Sequence, residues 1–229
     1  MFDYNKRTYI MGILNVTPDS FSDGGKFNSI DEALRHALEM VEEGADIIDL
    51  GGESTRPGHI YVDVDYVDVD EELKRVIPVV KKLKEELDTP ISVDTYKAKV
   101  ADESLKLGAE MINDIWGLRK DKDMAVLRSI NIAIEAGIDK NKIVLDPGIG
   151  FGKTYEQNLE VLKRLGELKT LGYPILLGTS RKSVIGNTLD LPPQERVEGT
   201  IATTVLGIRD GVDIVRVHDV EKNLRAAKM

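Results

Sequence analysis

The sequence predicts an α/β protein with a parallel sheet, and three observations carry that prediction. Short, wholly apolar runs end abruptly in a polar residue and a turn, as in IIDLGG (47–52), ISVDT (91–95), MINDIWG (111–117), IVLDPGIG (143–150) and DIVRVHD (213–219). A parallel strand buried on both faces reads in this way, as a hydrophobic run without alternation. Between these runs lie stretches with apolar residues at helical spacing. Three junctions also repeat one pattern, Gly44-Ala45-Asp46-Ile47, Gly108-Ala109-Glu110-Met111 and Gly211-Val212-Asp213-Ile214, each a helix-ending glycine just before a strand. That is an internal β/α period. A closed (β/α)8 TIM barrel is expected rather than an open doubly wound sheet. Polar residues end nearly every strand here, whereas an open sheet concentrates them at one switch point.

Taken in order, the first strand candidate is TYIMGILNV (8–16), and Pro18, Gly24 and Gly25 break the loop after it. Ser29 and Glu32 have capping-box spacing at the start of a helix whose Ala33, Leu34, Ala37, Leu38 and Val41 share one face. Gly44 ends that helix. The second strand, 46–50, runs into the loop GGESTRPG. Asp70 can cap the next helix, with Leu73, Val76, Ile77, Val80, Leu83 and Leu87 as its stripe, and Pro78 predicts a kink or a late start. Strands at 91–94 and in MINDIWG follow. Further on come a strand at 143–146, a helix carrying Leu159, Leu162 and Leu165, a strand at 174–178, a helix over about 195–210 and a strand at 214–217. Seven strands result, because only helix-like sequence, MAVLRSINIAIEAGI, separates Trp116 from Ile143.

A chain of 229 residues with 41% hydrophobic composition can bury one full core, and no low-complexity linker divides it, so a single domain over residues 1–229 is expected. The net charge of −9 argues against a field that draws in nucleic acid or an anionic membrane. An anionic ligand must therefore be held by a local cluster of cations. The absence of cysteine excludes disulfides, thiolate zinc sites and a Cys nucleophile. The apolar run near the start is too short and too charged for a membrane span or a secretion signal, so a soluble, cytoplasmic protein is expected.

Four strands end in a carboxylate or amide: Asn15, Asp94, Asn113 and Asp146. Such a set can recognise a flat, nitrogen-rich heterocycle, since a carboxylate accepts paired N–H donors and an amide both donates and accepts. Singly, each is more often a cap or a turn residue; four on one rim reverse that weighting. GTSRKS (178–183) follows a strand directly and carries Arg181, Lys182 and Ser183, while Arg56, Arg216 and His218 supply cationic groups on other loops. Together they predict an anion site built from several βα loops. His36 and His59 read as structural or solvated, Trp116 reads as core, and three scattered histidines carry no zinc signature.

The motifs resemble bacterial dihydropteroate synthases. ILNVTPDSFSDGG (13–25), DLGGESTRPG (49–58), SVDT (92–95), NDIWG (113–117), LDPGIGFGK (145–153), GTSRKS (178–183) and VRVHDV (215–220) occur in the order of that family and span most of the chain. The resemblance implies a (β/α)8 barrel that joins 6-hydroxymethyl-7,8-dihydropterin pyrophosphate to p-aminobenzoate, with Mg2+ as cofactor and a homodimer as the assembly. It assigns Asp94, Asn113, Ile115, Asp146, Phe151, Gly178 and Lys182 to the pterin. Asn15, Thr55, Arg56, Arg216 and His218 go to the pyrophosphate, with Asn15 as the metal contact. Phe21, Pro57, Lys182 and Ser183 go to p-aminobenzoate and to sulfonamides. Asp23, Lys182 and Arg56 are the expected catalytic groups. One departure stands out: family members carry a further strand where Ala125 here runs straight into Val126, so one β/α unit is expected to be missing between Met124 and Val126. Two rival readings share the barrel. A corrinoid methyltransferase acting on methyltetrahydrofolate has no need of Arg56, Arg216 and His218, and a non-catalytic pterin-binding homologue has no need of intact loops.

Overall fold

The structure, a computed structural model, describes residues 2–4, 6–16, 26–53, 67–114 and 125–229. Strands and helices alternate: β1 (Tyr9–Asn15), α1 (Lys26–Glu42), β2 (Ile47–Gly51), α2 (Val69–Glu86), β3 (Ile91–Asp94), α3 (Ala98–Lys106), β4 (Met111–Asn113), α4 (Ala125–Glu135), α5 (Tyr155–Lys163), β5 (Leu176–Leu177), α6 (Ser183–Leu189), α7 (Val197–Arg209), β6 (Ile214–Val217) and α8 (Val220–Ala227). The order of the hydrogen-bonded strands is β4-β3-β2-β1-β6-β5. The ladders β1–β2, β2–β3, β3–β4 and β5–β6 are all parallel.

Residues 11–115 form one compact unit; residues 1–10 and 116–229 form the other. In the first, β2 and β3 are buried along their whole length, which is why their sequences show no alternation. Ala33, Ala37 and Met40 of α1, and Val76, Val80 and Leu83 of α2, are the buried faces of their helices. In the second unit, Tyr9 at the start of β1 donates its N–H to Asp213 O at 2.8 Å, and β6 follows directly. Helix α7 lies so close to β5 that a methyl on Gly207 would come within 2.6 Å of Leu177 Cδ2.

The glycine junctions are closed as their spacing predicts. Gly44, Gly108 and Gly211 have φ of 99°, 100° and 92°. Each glycine N–H returns to the carbonyl three residues earlier, and the next N–H to the carbonyl five residues earlier, as in Ala45 to Met40 at 2.8 Å. The last turn of each helix is thereby satisfied before a strand begins.

Several boundaries differ from the sequence reading. Helix α1 starts at Lys26, ahead of the Ser29 spacing that was expected to open it. Helix α2 is capped by Asp68, whose carboxylate accepts the Glu71 N–H at 2.8 Å, while Asp70 lies inside the first turn. Pro78 neither delays nor ends α2, which runs through it with the ring on the exposed face. Six strands stand among the described residues where seven were expected. The run at 143–146 makes a single parallel bridge, Leu145 to Ile175, because Pro147 and the glycine turn stop it after one pairing. Ile130 of α4, Leu145 and Tyr173 still pack together beneath it.

The closeness of α7 to β5 is testable. Gly207→Ala should cost about 1–3 kcal/mol in urea denaturation, since Leu177, Val212 and Leu165 close the space around the added methyl. Unchanged stability would mean that α7 is free to move outward.

Candidate functional site

In the unit of residues 11–115, parallel register aligns the functional side chains. Asn15 pairs with Gly51, Gly51 with Asp94, and Asp94 with Asn113, one row across the C-terminal ends of four strands. Gly51 has no side chain to fill that row: a methyl there would lie 3.5 Å from Asn15 Oδ1 and 3.7 Å from Asp94 Cβ. Asp94 is buried, with 8% of its surface exposed. Two residues below Gly51 on the same face of β2 is Asp49, fully buried, whose Oδ2 accepts Asn113 Nδ2 at 3.2 Å. That bond fixes which way the Asn113 amide points. Asp49 escaped the sequence reading, although a carboxylate inside an apolar run is the signal that could have found it.

The other unit gathers the residues of the LDPGIGFGK and GTSRKS motifs. Asp146 Oδ1 accepts the Gly148 N–H at 2.7 Å. A methyl on Gly178 would lie 3.9 Å from Lys182 Nζ and 4.0 Å from Asp146 Oδ2, so the ammonium and the free side of the carboxylate border one small space with Gly178 as its floor. Lys182 Nζ also donates to Ile149 O and sits 4.2 Å from the centroid of the Phe151 ring. Ser183 is the first residue of α6. His218 is exposed, and its Nδ1 lies 2.9 Å from the buried Ser180 Oγ, which also accepts the His218 N–H at 3.1 Å. Arg216 is half-buried in β6.

Arg181 is not available as a site cation. It takes a left-handed backbone with φ of 56°, turns away and pairs with Asp219 through two bonds of 3.1 and 2.9 Å. Arg196 then clamps the Arg181 carbonyl at 2.9 Å, holding this unusual turn. Phe21, Asp23, Thr55, Arg56, Pro57 and Ile115 lie outside the described residues, as do His59 and Trp116. His36 is exposed on α1, the solvated of its two readings.

A second cluster follows β2 and β3. Lys97 donates to both Glu53 and Glu72, with its side chain only 9% exposed and that of Glu72 only 1%. Tyr96 adds its ring 4.3 Å from the ammonium. Burial works to lower the Lys97 pKa, but the hydrogen bonds to Glu53, Glu72 and Tyr96 outweigh it and the value is raised. Sequence reasoning missed this triad, because its members are far apart in the chain.

A parallel α/β scaffold with polar groups at its strand ends is an enzyme framework, and comparison makes its class specific. A family profile described as pterin binding enzyme matches residues 11–131 and 126–218. The chain belongs to the pterin-binding enzyme family. Its relatives within that family include dihydropteroate synthases of Clostridium beijerinckii, 55% identical across 100% of this chain and 95% of the relative, and of Bacillus subtilis, 53% identical across 99% and 88%. Among solved structures, a Clostridium difficile dihydropteroate synthase in the presence of pteroic acid superposes with a TM-score of 0.92 at 64% identity, over 100% of this chain and 97% of that one. A Xanthomonas albilineans dihydropteroate synthase with 4-aminobenzoic acid gives 0.88 at 40% identity, over 99% and 93%.

The comparison also bears on the short stretch before α4. The C. beijerinckii alignment spans 260 positions while this chain has 229 residues, so at least 31 positions have no counterpart here. A barrel of eight β/α units takes roughly 30 residues per unit. The shortfall is the size of one unit, and the two profile matches meet at residues 126–131, where the sequence placed the gap.

Lys97→Met would leave the Glu72 charge buried without its cation and should cost about 3–5 kcal/mol in urea denaturation. Replacing Glu72 by Met as well should recover more than half of that. Because the Lys97 pKa is raised, its contribution is complete below the ordinary lysine value and is lost only as pH climbs through the raised one, so the deficit of the variant should hold constant from neutral pH up to roughly pH 9.

Proposed function

We propose that the chain catalyses the condensation of 6-hydroxymethyl-7,8-dihydropterin pyrophosphate with p-aminobenzoate, giving 7,8-dihydropteroate and pyrophosphate. The observation that carries this reading is the cluster of Asp146, Lys182, Phe151 and Gly178. It offers a carboxylate oxygen, an ammonium and an aromatic face around one glycine-floored space. An aminopyrimidine edge presents paired N–H donors to such a carboxylate, and the ammonium can meet the ring's acceptor atoms. Asp94 and Asn113 are the further pterin groups that the family resemblance names.

The amine nitrogen of p-aminobenzoate already carries a lone pair, so no covalent nucleophile is needed. Its attack forms the C–N bond at the pterin methylene as the C–O bond breaks; the electron pair of that bond leaves with pyrophosphate and the amine proton passes to solvent. Cations favour that departure, and Arg56, Arg216 and His218 are the groups proposed for it, with Asp23 proposed to stabilise the positive charge that builds on the pterin. Phe21, Pro57 and Ser183 are proposed to hold p-aminobenzoate, as Thr55 and Asn15 hold the pyrophosphate, and Ile115 to line the pterin.

Among the described residues no group of three or more acidic or histidine side chains could hold a metal. Asn15 contributes one amide oxygen, which suits a Mg2+ that arrives on the phosphates and keeps most of its ligands from them and from water. When bound, that ion would neutralise charge on the leaving pyrophosphate. Val205 and Leu206 of α7, both nearly half exposed, are the apolar surface proposed for a homodimer. A cytoplasmic location is proposed on the same footing; among the described residues no helix is long and apolar enough to cross a membrane.

The deciding assay supplies dihydropterin pyrophosphate, p-aminobenzoate and Mg2+ and follows pyrophosphate release, which should require all three. Asp146→Asn should keep the bond to the Gly148 N–H but aim an amide N–H2 at a ligand donor. Pterin affinity should fall by about 3 kcal/mol, on the order of a hundredfold, with little change in melting temperature. Near-native affinity would make Asp146 a turn residue alone.

A further inference from the structure

The loop after Leu145 has no ladder to hold it. Gly148, Gly150 and Gly152 alternate through it with φ of 65°, 82° and 58°, so its peptide groups turn in successive directions and its carbonyls need separate partners. Side chains supply several of these, beside the backbone bond from the Phe151 N–H to Gly148 O at 3.2 Å. Lys182 takes Ile149 O, and Asn158 of α5 accepts the Gly150 N–H at 2.7 Å while donating to Thr154 O at 2.8 Å. The remaining clamp is Lys153, whose Nζ donates to Gly148 O at 2.8 Å and reaches Phe151 O at 3.4 Å. Its ammonium is half-buried: burial pushes its pKa down, and the charge of Asp146 pulls the other way. A methyl on Gly148 would come within 3.2 Å of that nitrogen, so the lysine lies tight against the turn.

The two carbonyls that Lys153 holds belong to the two residues that set up the pterin cluster. Gly148 presents the N–H that binds Asp146 Oδ1, and Phe151 carries the ring against Lys182. We propose that Lys153 is a positioning residue for pterin binding: by tying the Gly148 and Phe151 carbonyls together it fixes the rotamer of Asp146 and the plane of the Phe151 ring. It acts through those residues and does not itself touch the ligand. A lysine that merely stabilised the loop would change melting temperature and leave the effect of Asp146 on affinity as it was.

The inference rests on the pterin reading of Asp146, and a double-mutant cycle separates the two. Calorimetric titration with 6-hydroxymethyl-7,8-dihydropterin would be run on the native chain, Lys153→Met, Asp146→Asn and the double variant. Lys153→Met should weaken binding about tenfold in the native background and only about two- to threefold beside Asp146→Asn, where the carboxylate it positions is already spoiled and only its effect through Phe151 remains. Lys153→Arg, which keeps a cationic donor, should recover part of the loss. Equal losses in both backgrounds, or no loss in the native one, would overturn the proposal while leaving the pterin site intact. Native affinity in Asp146→Asn would remove both. If Lys153→Met fails to fold, Lys153→Gln, which retains an N–H donor of shorter reach, enters the same cycle with the same criteria.

Discussion

Parallel register is the constraint that lines up the strand ends of β1 to β4. Each ladder from β1 to β4 sets one strand end beside the next, so Asn15, Gly51, Asp94 and Asn113 come into one row. A slip of one residue in any ladder would send that strand's polar end to the opposite face, where helices pack. Burial of β2 and β3 on both faces enforces the register, since a slip would also unseat every isoleucine, leucine and valine along them. The row costs solvation, because Asp49 and Asp94 are carboxylates in a largely apolar setting. Hydrogen bonds such as that from Asn113 to Asp49 offset part of that cost and fix the amide's direction as they do so.

The Asp146 region reaches the same end by another route. Only Leu145 joins a ladder there, so the chain cannot rely on a strand to aim its side chains. Three left-handed glycines and two lysines take over, with Asn158 pinning the loop to α5. Lys182 contributes both to the loop's structure and to the proposed binding of ligand. Such a loop is held by a few charge-assisted bonds, in which lysines take the carbonyls of Gly148, Ile149 and Phe151.

Much of this was legible in the residues. The helix-ending glycines at 44, 108 and 211 were placed correctly because their role is local: a positive φ closes a helix whatever lies around it. The strand ends were placed because burial on both faces removes alternation and leaves the first polar residue conspicuous. Local signals failed where two candidates were near one another. Asp68 and Asp70 can both cap a helix, and only the chain's path into α2 selects the first. Pro78 is tolerated within α2, where it lies on the exposed face.

The sequence by itself determined the α/β class, the order of its units, the strand-end residues and the family. Class and unit order rest on composition and spacing along the chain; the family rests on the resemblance of its motifs. Tertiary structure alone decided which partners the charged groups take. Arg181 and Lys182 are neighbours with nearly the same chemistry on paper, yet the left-handed turn at Arg181 commits its guanidinium to Asp219, while Lys182 is left beside Asp146 and Phe151. Asp49 and Lys97 likewise find their partners only once the chain has folded. A charge's function depends on what lies within a few ångströms of it, and for these residues that is set by the fold rather than by sequence neighbours.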